Sequence, residues 1–408
     1  MYIYKVGVVG AGAMGAEIAQ VVTFSGLPVV LKDVDEARVQ QGLETIKKIY
    51  QRRVDKGKLS PEEMAAKMSL VTGATSYDAF RDVDIVIEAV PEKMELKRQI
   101  FHELDKVCQP SALFVSNTSS LSISALGAVT QRPQQTIGMH FFYPAHIMKL
   151  VEVIAGLDTA EETVSDVIAF AESLRKLPVR VKECPGFLVN RLLMPYLNEA
   201  AFCLQEGLAS LKEIDKAMTG FGFPMGPFTL VDALGFDVCH DVVVILEQGY
   251  GGRMRPAELW QAMYDKGRWG VKRGAGFYLY GERAAAGHDT ELETMLREFR
   301  QLEAAASGSF SVNRLLLPMI NEAVMCLEEH VSSASDIDLA VLAGLGFPQD
   351  KEGVLHYADA MGLDVVLQEL EQLSQRYGGR FWPSPLLRRK VGAGHVGKKA
   401  QRGFFEYA

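Results

Sequence analysis

Apolar and polar positions follow two alternating periods in the first third of the chain. Short, nearly continuous apolar runs have the length of buried strands; they are "YKVGVV", "LPVVLKDV", "DVDIVIEAV" and "ALFVSN". The segments between them have apolar residues at helical spacing; these are "AMGAEIAQVVTF", residues 35–56 and "KMELKRQIFHELDKV". Strands that alternate with helices predict a parallel sheet covered by helices.

The pattern changes after about Val181, where helical spacing with Gly and Pro punctuation takes over. This second region contains an internal repeat. "VNRLLMPYLNEAAFCLQEG" from Val189 returns as "VNRLLLPMINEAVMCLEEH" from Val312, and "VDALGFD" and "GVKRGAGFYLY" return as "ADAMGLD" and "GKKAQRGFFEY". We predict an α/β domain over residues 1–183, followed by two all-α domains related by internal duplication, residues 184–282 and 289–408.

A glycine-rich motif lies between the first predicted strand and the first helix. "VGVVGAGAMG" contains Gly10, which permits a tight turn, Gly12, which lets backbone amides approach a pyrophosphate, and Gly15, which allows close helix packing. Asp33 follows the second strand, where a carboxylate accepts hydrogen bonds from a ribose and repels a 2′-phosphate. We predict a Rossmann-type nucleotide-binding domain that prefers NAD to NADP, although the motif alone is also compatible with FAD.

Composition excludes several classes of protein. The chain has 408 residues, 48% of them hydrophobic, and its net charge of −8 argues against a nucleic-acid partner. Five cysteines without CxxC or metal-ligand spacing indicate neither a metal site nor a disulfide framework. The chain begins directly with a strand, has no apolar run long enough to span a membrane, and ends in "EYA", which is no peroxisomal signal. We expect a cytoplasmic protein without a membrane partner.

The mostly apolar stretch "GMHFFYPAHIMKLVEVI" carries His140 near its start and Glu152 near its end. If "QTIGMHFF" and "MKLVEVI" are antiparallel strands paired about His146, His140 lies opposite Glu152. A carboxylate on one ring nitrogen raises the basicity of the other, which a general base requires. Taken alone, this pair is more typical of a structural histidine capping a hairpin than of a general base.

The chain resembles the L-3-hydroxyacyl-CoA dehydrogenase family. "SNTSSLSI", "GMHFFYP", "KLVEVI", "PGFLVNRLL", "PMGPFTLVD" and "GVKRGAGFY" occur in the family's order and spacing, over residues 1 to about 281. The second helical copy resembles the duplicated C-terminal module of multifunctional fatty-acid oxidation enzymes. We expect a dehydrogenase without the enoyl-CoA hydratase domain of those enzymes.

The resemblance implies NAD-dependent, reversible oxidation of an L-3-hydroxyacyl-CoA to a 3-ketoacyl-CoA. It makes His140 the general base and Glu152 its orienting partner. Ser119 and Asn190 would be catalytic residues that also bind the substrate oxygens, between the domains. For Asn190 a structural role stays open, because Asn313 occupies the same place in a copy that has no nucleotide-binding domain.

The resemblance also extends the cofactor site. Its further cofactor-binding residues are Glu92, Lys97, Asn117 and Lys272. Without the resemblance, Glu92 and Lys97 would be interpreted as a solvated helix face. Tyr143 departs from the family, which most often has Asn after the two Phe of this motif, and this puts one cofactor contact in doubt.

An acidic protein needs a local basic patch to hold the phosphates of CoA. The basic residues that crowd the segment after Asp33 are Lys47, Lys48, Arg52, Arg53, Lys56 and Lys58. The resemblance favours Arg53 or Lys56 as a CoA contact, whereas charge runs on helices are usually solvated faces.

Two other functions and a question of assembly stay open at this stage. The chain is also compatible with a family member that oxidises a free hydroxy acid, and with a non-catalytic NAD-binding protein. The repeat keeps the apolar helical spacing of its first copy. We therefore expect the second copy to act as a built-in partner, so that the chain can be a monomer through an internal pseudo-dimer, although a homodimer is also compatible.

Overall fold

A computed structural model of the chain describes residues 1–302 and 310–407. It divides into two compact units, Met1–Phe187 and Leu188–Ala408. Residues 303–309 and Ala408, which belong to the predicted second copy, lie outside the described residues. Within the described ranges, no helix has the length and apolar character needed to cross a membrane.

The first unit is built on one sheet, to which the described residues contribute eight strands. The strands are β1 (Val6–Val9), β2 (Val29–Lys32), β3 (Val71–Ala74), β4 (Ile85–Glu88), β5 (Leu113–Ser116), β6 (Thr136–Phe141), β7 (Leu150–Ala155) and β8 (Leu177–Lys182). Their order is β3-β2-β1-β4-β5-β6-β7-β8, and every neighbouring pair is parallel except β6 and β7. The predicted parallel sheet is confirmed.

Helices cover this sheet. They are α1 (Ala13–Phe24), α2 (Glu36–Asp55), α3 (Pro61–Met68), α4 (Met94–Val107), α5 (Ile123–Gly127) and α6 (Glu161–Ser173). The central strands are buried on both faces, which explains their continuous apolar sequence. Val8 and Ile87 belong to one apolar cluster, with α1 and α6, whereas Val9 and Phe114 belong to another, with α4.

Two strands were absent from the sequence-based prediction. β3 is an edge strand whose residues are half-buried or exposed. β8 alternates exposed and buried side chains over "LPVRVK", a period-2 signal in the region where the strand pattern was expected to stop. Both missed strands lie at the margins of the sheet, where burial is incomplete and the apolar signal is weakest.

The second unit is helical in its described part. Its helices are α7 (Val189–Gln205), α8 (Leu211–Phe221), α9 (Pro227–Leu234), α10 (Phe236–Tyr250), α11 (Glu258–Asp265), α12 (Thr290–Leu302), α13 (Val312–Glu328), α14 (Ala334–Gly344), α15 (Val354–Met361), α16 (Leu363–Tyr377) and α17 (Pro385–Gly392). The order and lengths of α7 to α11 are repeated by α13 to α17, which confirms two all-α copies related by duplication.

A buried arginine of the first copy binds two glutamates of the second. Arg191 on α7 donates to Glu322 on α13 at 2.6 Å and pairs with Glu329 at 2.8 Å. Arg253 joins them, with 3.0 Å to Glu322, and both guanidinium groups lie over the ring of Tyr250. We call this group the Arg191 clamp.

The same arrangement occurs with the two copies exchanged. Arg314 on α13 donates to Glu199 at 2.5 Å and to Glu206 at 3.0 Å, and Arg380 donates to the same two carboxylates. Arg314 lies over the ring of Tyr377. We call this group the Arg314 clamp. Because removing one member of a buried ion pair leaves an uncompensated charge, each copy depends on the other to neutralise its buried charges.

Candidate functional site

The glycine-rich turn has the backbone that its sequence predicts. Gly10 has a φ of +102°, a left-handed conformation that disfavours any residue with a Cβ. A Cβ on Gly15 would lie 1.8 Å from the carbonyl oxygen of Gly10, so a side chain there would push the helix away from the turn. A Cβ on Gly12, the N-cap of α1, would meet nothing within 4 Å. The turn therefore leaves an open cradle at the N-terminus of α1, where an anionic group is favoured.

Asp33 lies directly after β2, beside this turn. Its carboxylate accepts hydrogen bonds from the backbone N–H of Ala11 and of Val34, each at 2.7 Å. The contact with Ala11 joins the end of β2 to the glycine-rich turn. The half-buried carboxylate is therefore fixed where a ribose of a bound dinucleotide is expected.

The predicted pairing of His140 with Glu152 is confirmed. The two residues are directly opposite each other in the antiparallel register of β6 and β7, and His140 Nδ1 lies 2.7 Å from Glu152 Oε2. Glu152 is fully buried, and His140 retains slight exposure. A carboxylate that accepts the Nδ1 hydrogen leaves Nε2 with its lone pair, available to take a proton. Phe142 and Phe187 flank the imidazole ring.

Lys97 belongs to a buried network that the sequence did not predict. Its ammonium lies 2.6 Å from Glu88 Oε1, and the Ser116 hydroxyl donates to the same carboxylate at 2.6 Å. Lys97 is 1% exposed and Glu88 0%. The interpretation of Lys97 as part of a solvated helix face is therefore wrong, because its side chain passes under the strand ends to Glu88. A glutamate at the end of the apolar strand "IVIE" was the available signal.

Glu92 shapes the loop that carries Ser119. Its carboxylate accepts from the Thr118 hydroxyl at 2.5 Å, from the Ser119 N–H at 2.9 Å and from the Ser119 hydroxyl at 3.2 Å. Burial raises the pKa of Glu92, but Lys97 and these hydrogen bonds outweigh burial and hold that pKa below its ordinary value. Glu92, whose side chain is exposed, therefore anchors the Ser119 loop, and cofactor binding by Glu92 stays a prediction.

Asn117 links the end of β5 to the hairpin of β6 and β7, which carries His140 and Glu152. Its side-chain oxygen accepts from the backbone N–H of Phe141 at 2.9 Å. Asn117, Ser119 and His140 therefore lie along the carboxyl ends of neighbouring strands, where ligands bind in sheets of this type. Tyr143, which replaces the expected Asn, is 67% exposed on the turn that follows β6.

The basic residues after Asp33 surround a pocket of about 290 Å³. Its lining residues are Ile49, Arg52, Arg53, Lys56, Lys58, His146 and Ile147. Arg53 also lies over the ring of Phe24, 4.3 Å from its centroid. The two arginines, the two lysines and the imidazole of His146 in this lining suit a phosphorylated ligand. Lys47 and Lys48 are exposed elsewhere on α2.

The two asparagines of the repeat differ in their surroundings. Asn313 donates to the Glu369 carboxylate on α16 at 2.9 Å. In the first copy the position of Glu369 is taken by Val242 on α10, counted from the start of each helix. The amide of Asn313 is thus held by a neighbouring carboxylate, whereas Asn190, half-buried at the start of α7, has an apolar residue in that place.

Lys272 has a counterpart in the second copy as well. It pairs with Asp237 at 2.5 Å, and Lys399 pairs with Asp364 at 2.6 Å. Because the second copy has no nucleotide-binding domain, the shared ion pair is part of the helical fold. Cofactor binding by Lys272 stays a prediction.

Family comparisons agree with this architecture. The family model described as the NAD-binding domain of 3-hydroxyacyl-CoA dehydrogenase matches residues 5–184. The model of the C-terminal domain of the same enzymes matches twice, over residues 186–280 and 310–407. The first C-terminal match lies within the first predicted copy, residues 184–282, whereas the second begins at residue 310 and leaves α12 outside both matches.

Individual relatives share different parts of the chain. The α subunit of the fatty acid oxidation complex of Shewanella amazonensis is 38% identical over 393 residues, which cover 96% of this chain and 55% of the relative. The chain spans about half the length of the curated relatives it matches. The crystal structure of 3-hydroxybutyryl-CoA dehydrogenase from Escherichia coli K12 has a TM-score of 0.87 and 30% identity, covering 96% of this chain and 99% of that one. The (S)-3-hydroxybutyryl-CoA dehydrogenase of Ralstonia eutropha has a TM-score of 0.68 and 43% identity, covering 69% of this chain and 100% of that one.

Proposed function

Because the chain belongs to the 3-hydroxyacyl-CoA dehydrogenase family, we propose that it oxidises L-3-hydroxyacyl-CoA thioesters to 3-ketoacyl-CoA with NAD. The observation that carries the proposal is the buried pair of His140 and Glu152, 2.7 Å apart. This pair lies on strands of the same sheet whose first turn forms the cradle at Gly12. A base beside a dinucleotide cradle is the arrangement that alcohol oxidation needs.

The reaction breaks two bonds to hydrogen. Nε2 of His140 takes the proton of the 3-hydroxyl group, and the C3–H bond breaks as the carbon–oxygen double bond forms. NAD, when bound, would supply the acceptor for the hydrogen that leaves C3 with its electron pair. The imidazolium that forms donates a hydrogen bond from its Nδ1–H to Glu152, and the negative charge of that carboxylate stabilises the imidazolium. Ser119 and Asn190 hold the substrate oxygens in this proposal.

Asp33 supports a preference for NAD over NADP, because its carboxylate would repel a 2′-phosphate. The open face at Gly12 leaves room for the pyrophosphate, and the N-terminus of α1 attracts its charge. We expect kcat/KM to be clearly higher with NAD. Equal values for the two cofactors would contradict this role of Asp33.

The basic pocket supports a CoA thioester over a free hydroxy acid. Arg53 and Lys56 line it, and an acidic protein of net charge −8 gains local attraction for phosphates only from such a patch. We expect Arg53→Met and Lys56→Met to raise KM for a CoA thioester and to leave KM unchanged for a pantetheine thioester, which lacks those phosphates. Lys48→Met, an exposed change on the same helix, is the control. Equal turnover of free 3-hydroxy acids and thioesters would contradict the proposed substrate class.

His140→Gln tests the chemistry directly. We expect NAD binding near wild type and a fall in kcat of roughly 10²-fold or more, as is typical for loss of a general base. His102→Gln, a change of the same kind on the exposed face of α4, is the matched control. Glu152→Gln should also act mainly on kcat. Near-full turnover by His140→Gln would exclude His140 as the base.

We propose a cytoplasmic location, supported by five cysteines that lack the spacing of a disulfide framework and by the likeness to a bacterial fatty acid oxidation subunit. Fractionation of the source cells with an antibody against the chain tests it.

A further inference from the structure

The turn between β6 and β7 is held by two buried, oppositely charged side chains from outside the hairpin. The N–H of Ala145 donates to Glu17 on α1. The carbonyl oxygens of Ala145 and Met148 accept from the Lys176 ammonium, at 2.5 and 2.8 Å. Glu17 is 6% exposed and Lys176 8%. Buried charges are costly unless they are paired and hydrogen-bonded, and here their hydrogen bonds go to the backbone of this one turn.

This turn lies between the candidate base and the basic pocket. It connects β6, which carries His140, to β7, which carries Glu152. Its His146 lines the basic pocket, with Nδ1 3.3 Å from Glu17. Glu17 in turn lies on the helix that begins at the glycine-rich cradle. The carboxylate of Glu17 therefore connects α1, the basic pocket and the hairpin of β6 and β7.

We propose that Lys176 and Glu17 are positioning residues that fix the turn at Ala145, hold His140 against Glu152 and keep His146 at the basic pocket. The inference rests on the proposed dehydrogenase function. Its physical basis is strand register: because side chains alternate between the faces of a sheet, any slip of the hairpin by one residue would move His140 away from Glu152. Because both the N–H and the carbonyl oxygen of Ala145 are hydrogen-bonded, the turn resists such a slip.

The charge of Lys176 gives this role a pH signature. Burial lowers the pKa of Lys176 to about 8, although the nearby Glu17 carboxylate opposes the shift. The charged and titratable groups around it are Glu17 from α1 and, in the turn, His146, which faces the same carboxylate. Above that pH the amine is neutral, and its hydrogen bonds to the two carbonyl groups weaken. Turnover should therefore decline as the pH rises through about 8.

Stability should change in the opposite direction. The pKa of Lys176 in the folded chain lies below its ordinary value of 10.5. Between these two pH values the unfolded chain binds a proton that the folded chain does not, so the contribution of Lys176 to the free energy of unfolding increases with pH. A residue that served stability alone would not lower turnover over the range in which its contribution to stability increases.

Three variants separate the alternatives in assays of an L-3-hydroxyacyl-CoA below and above pH 8. Lys176→Met removes both hydrogen bonds to the turn, and we expect kcat to fall roughly 10-fold or more, since small misplacements of catalytic groups are costly, with no decline across this pH. Lys176→Arg stays charged throughout, so its alkaline decline should disappear. Glu17→Gln removes the charge that raises the pKa of Lys176, so the decline should move to lower pH. Lys182→Met, exposed on β8, is the control.

Each outcome is decisive. An unchanged kcat in Lys176→Met overturns the inference. If that variant does not fold, the comparison of wild type with Lys176→Arg decides, because the same alkaline decline in both overturns it. A wild-type chain that turns over no thioester contradicts the proposed function instead, whereas an active wild type with an unaffected Lys176→Met contradicts only the positioning role.

Discussion

The two helical copies share their buried charges but differ at the helix position that binds Asn313 in the second copy. Each copy contributes two arginines to a clamp on the other, and each pairs a lysine with an aspartate, Lys272 with Asp237 and Lys399 with Asp364. They differ at Val242 and Glu369. What both copies keep is needed for folding, because only the first is preceded by a nucleotide-binding domain. The difference at this position marks Asn190 of the first copy as the asparagine where chemistry is expected.

Removing the second copy should have the largest effect. In a chain that ends at Glu282, Arg191 loses Glu322, and α7 loses the apolar face of α13. Exposed apolar patches drive association, so we expect oligomers or aggregates in sedimentation velocity runs in which the full chain sediments as one defined species. A soluble, fully active truncated monomer would show that the second copy covers nothing.

Breaking either clamp should lower stability strongly and equally. Glu199→Ala and Glu322→Ala each remove the carboxylate that two arginines share, so that one remaining glutamate faces both, and we expect a loss of about 3–5 kcal/mol in the free energy of unfolding. Asp350→Ala, which removes an exposed ion pair with Lys351, should leave the free energy of unfolding nearly unchanged. Chemical denaturation measures all three. Clearly unequal losses for the two glutamates would break the equivalence of the copies.

The asparagines should separate function from structure. We expect Asn190→Ala to lower kcat by roughly 10²–10³-fold, as loss of a donor to a reacting oxygen does. Asn313→Ala should leave kcat nearly unchanged and reduce stability by about 1 kcal/mol, since it loses one hydrogen bond to Glu369. Steady-state kinetics and denaturation of both variants test this. Similar kinetic effects would refute the distinction.

Val242→Glu sharpens the same comparison. It gives Asn190 the partner that Asn313 has, and we expect kcat to fall because the amide is drawn into a structural hydrogen bond. Glu369→Val is the reciprocal control and should leave turnover unchanged. A Val242→Glu enzyme with normal kcat would show that the partner does not decide the role of Asn190.

The smallest effects should come from the exposed lysine pairs. Lys272→Ala and Lys399→Ala each remove an ion pair at the surface, worth at most about 1 kcal/mol. If Lys272 also contacts the cofactor, KM for NAD increases in Lys272→Ala alone. Identical kinetics in the two variants would leave the lysine with its shared structural role only.

Local features of the fold were predictable because short-range physics determines them. The first helix occupies Ala13–Phe24, the stretch predicted from its apolar spacing. The register that opposes His140 and Glu152 was also predicted, because two short apolar strands around one turn allow few pairings that bury both faces. The conformation of the glycine-rich turn was predictable from its residues, because few residues other than glycine tolerate that backbone.

Buried charges were not predicted, because their burial depends on which groups the fold brings together and not on the local pattern of the helix that carries them. Lys97 lies on an amphipathic helix, where its sequence context is the same as that of a solvated lysine. Only the fold shows that Glu88, at the end of β4, binds its ammonium group. Lys176 and Glu17 meet at Ala145 although they belong to opposite ends of the first unit. The roles of the site residues stay predictions, since geometry brings side chains together without demonstrating turnover.

The clamps determine the order in which the two copies can finish folding during synthesis. Arg191 precedes Glu322 by 131 positions, so at common rates of synthesis the arginine leaves the ribosome roughly 7–26 s before its partner. During that interval the first copy carries the guanidinium of Arg191 and the carboxylates of Glu199 and Glu206 with no counterions from the second. The first copy therefore completes its packing only after the last helices emerge. A nascent chain stalled within residues 283–310 should remain protease-sensitive in the first copy.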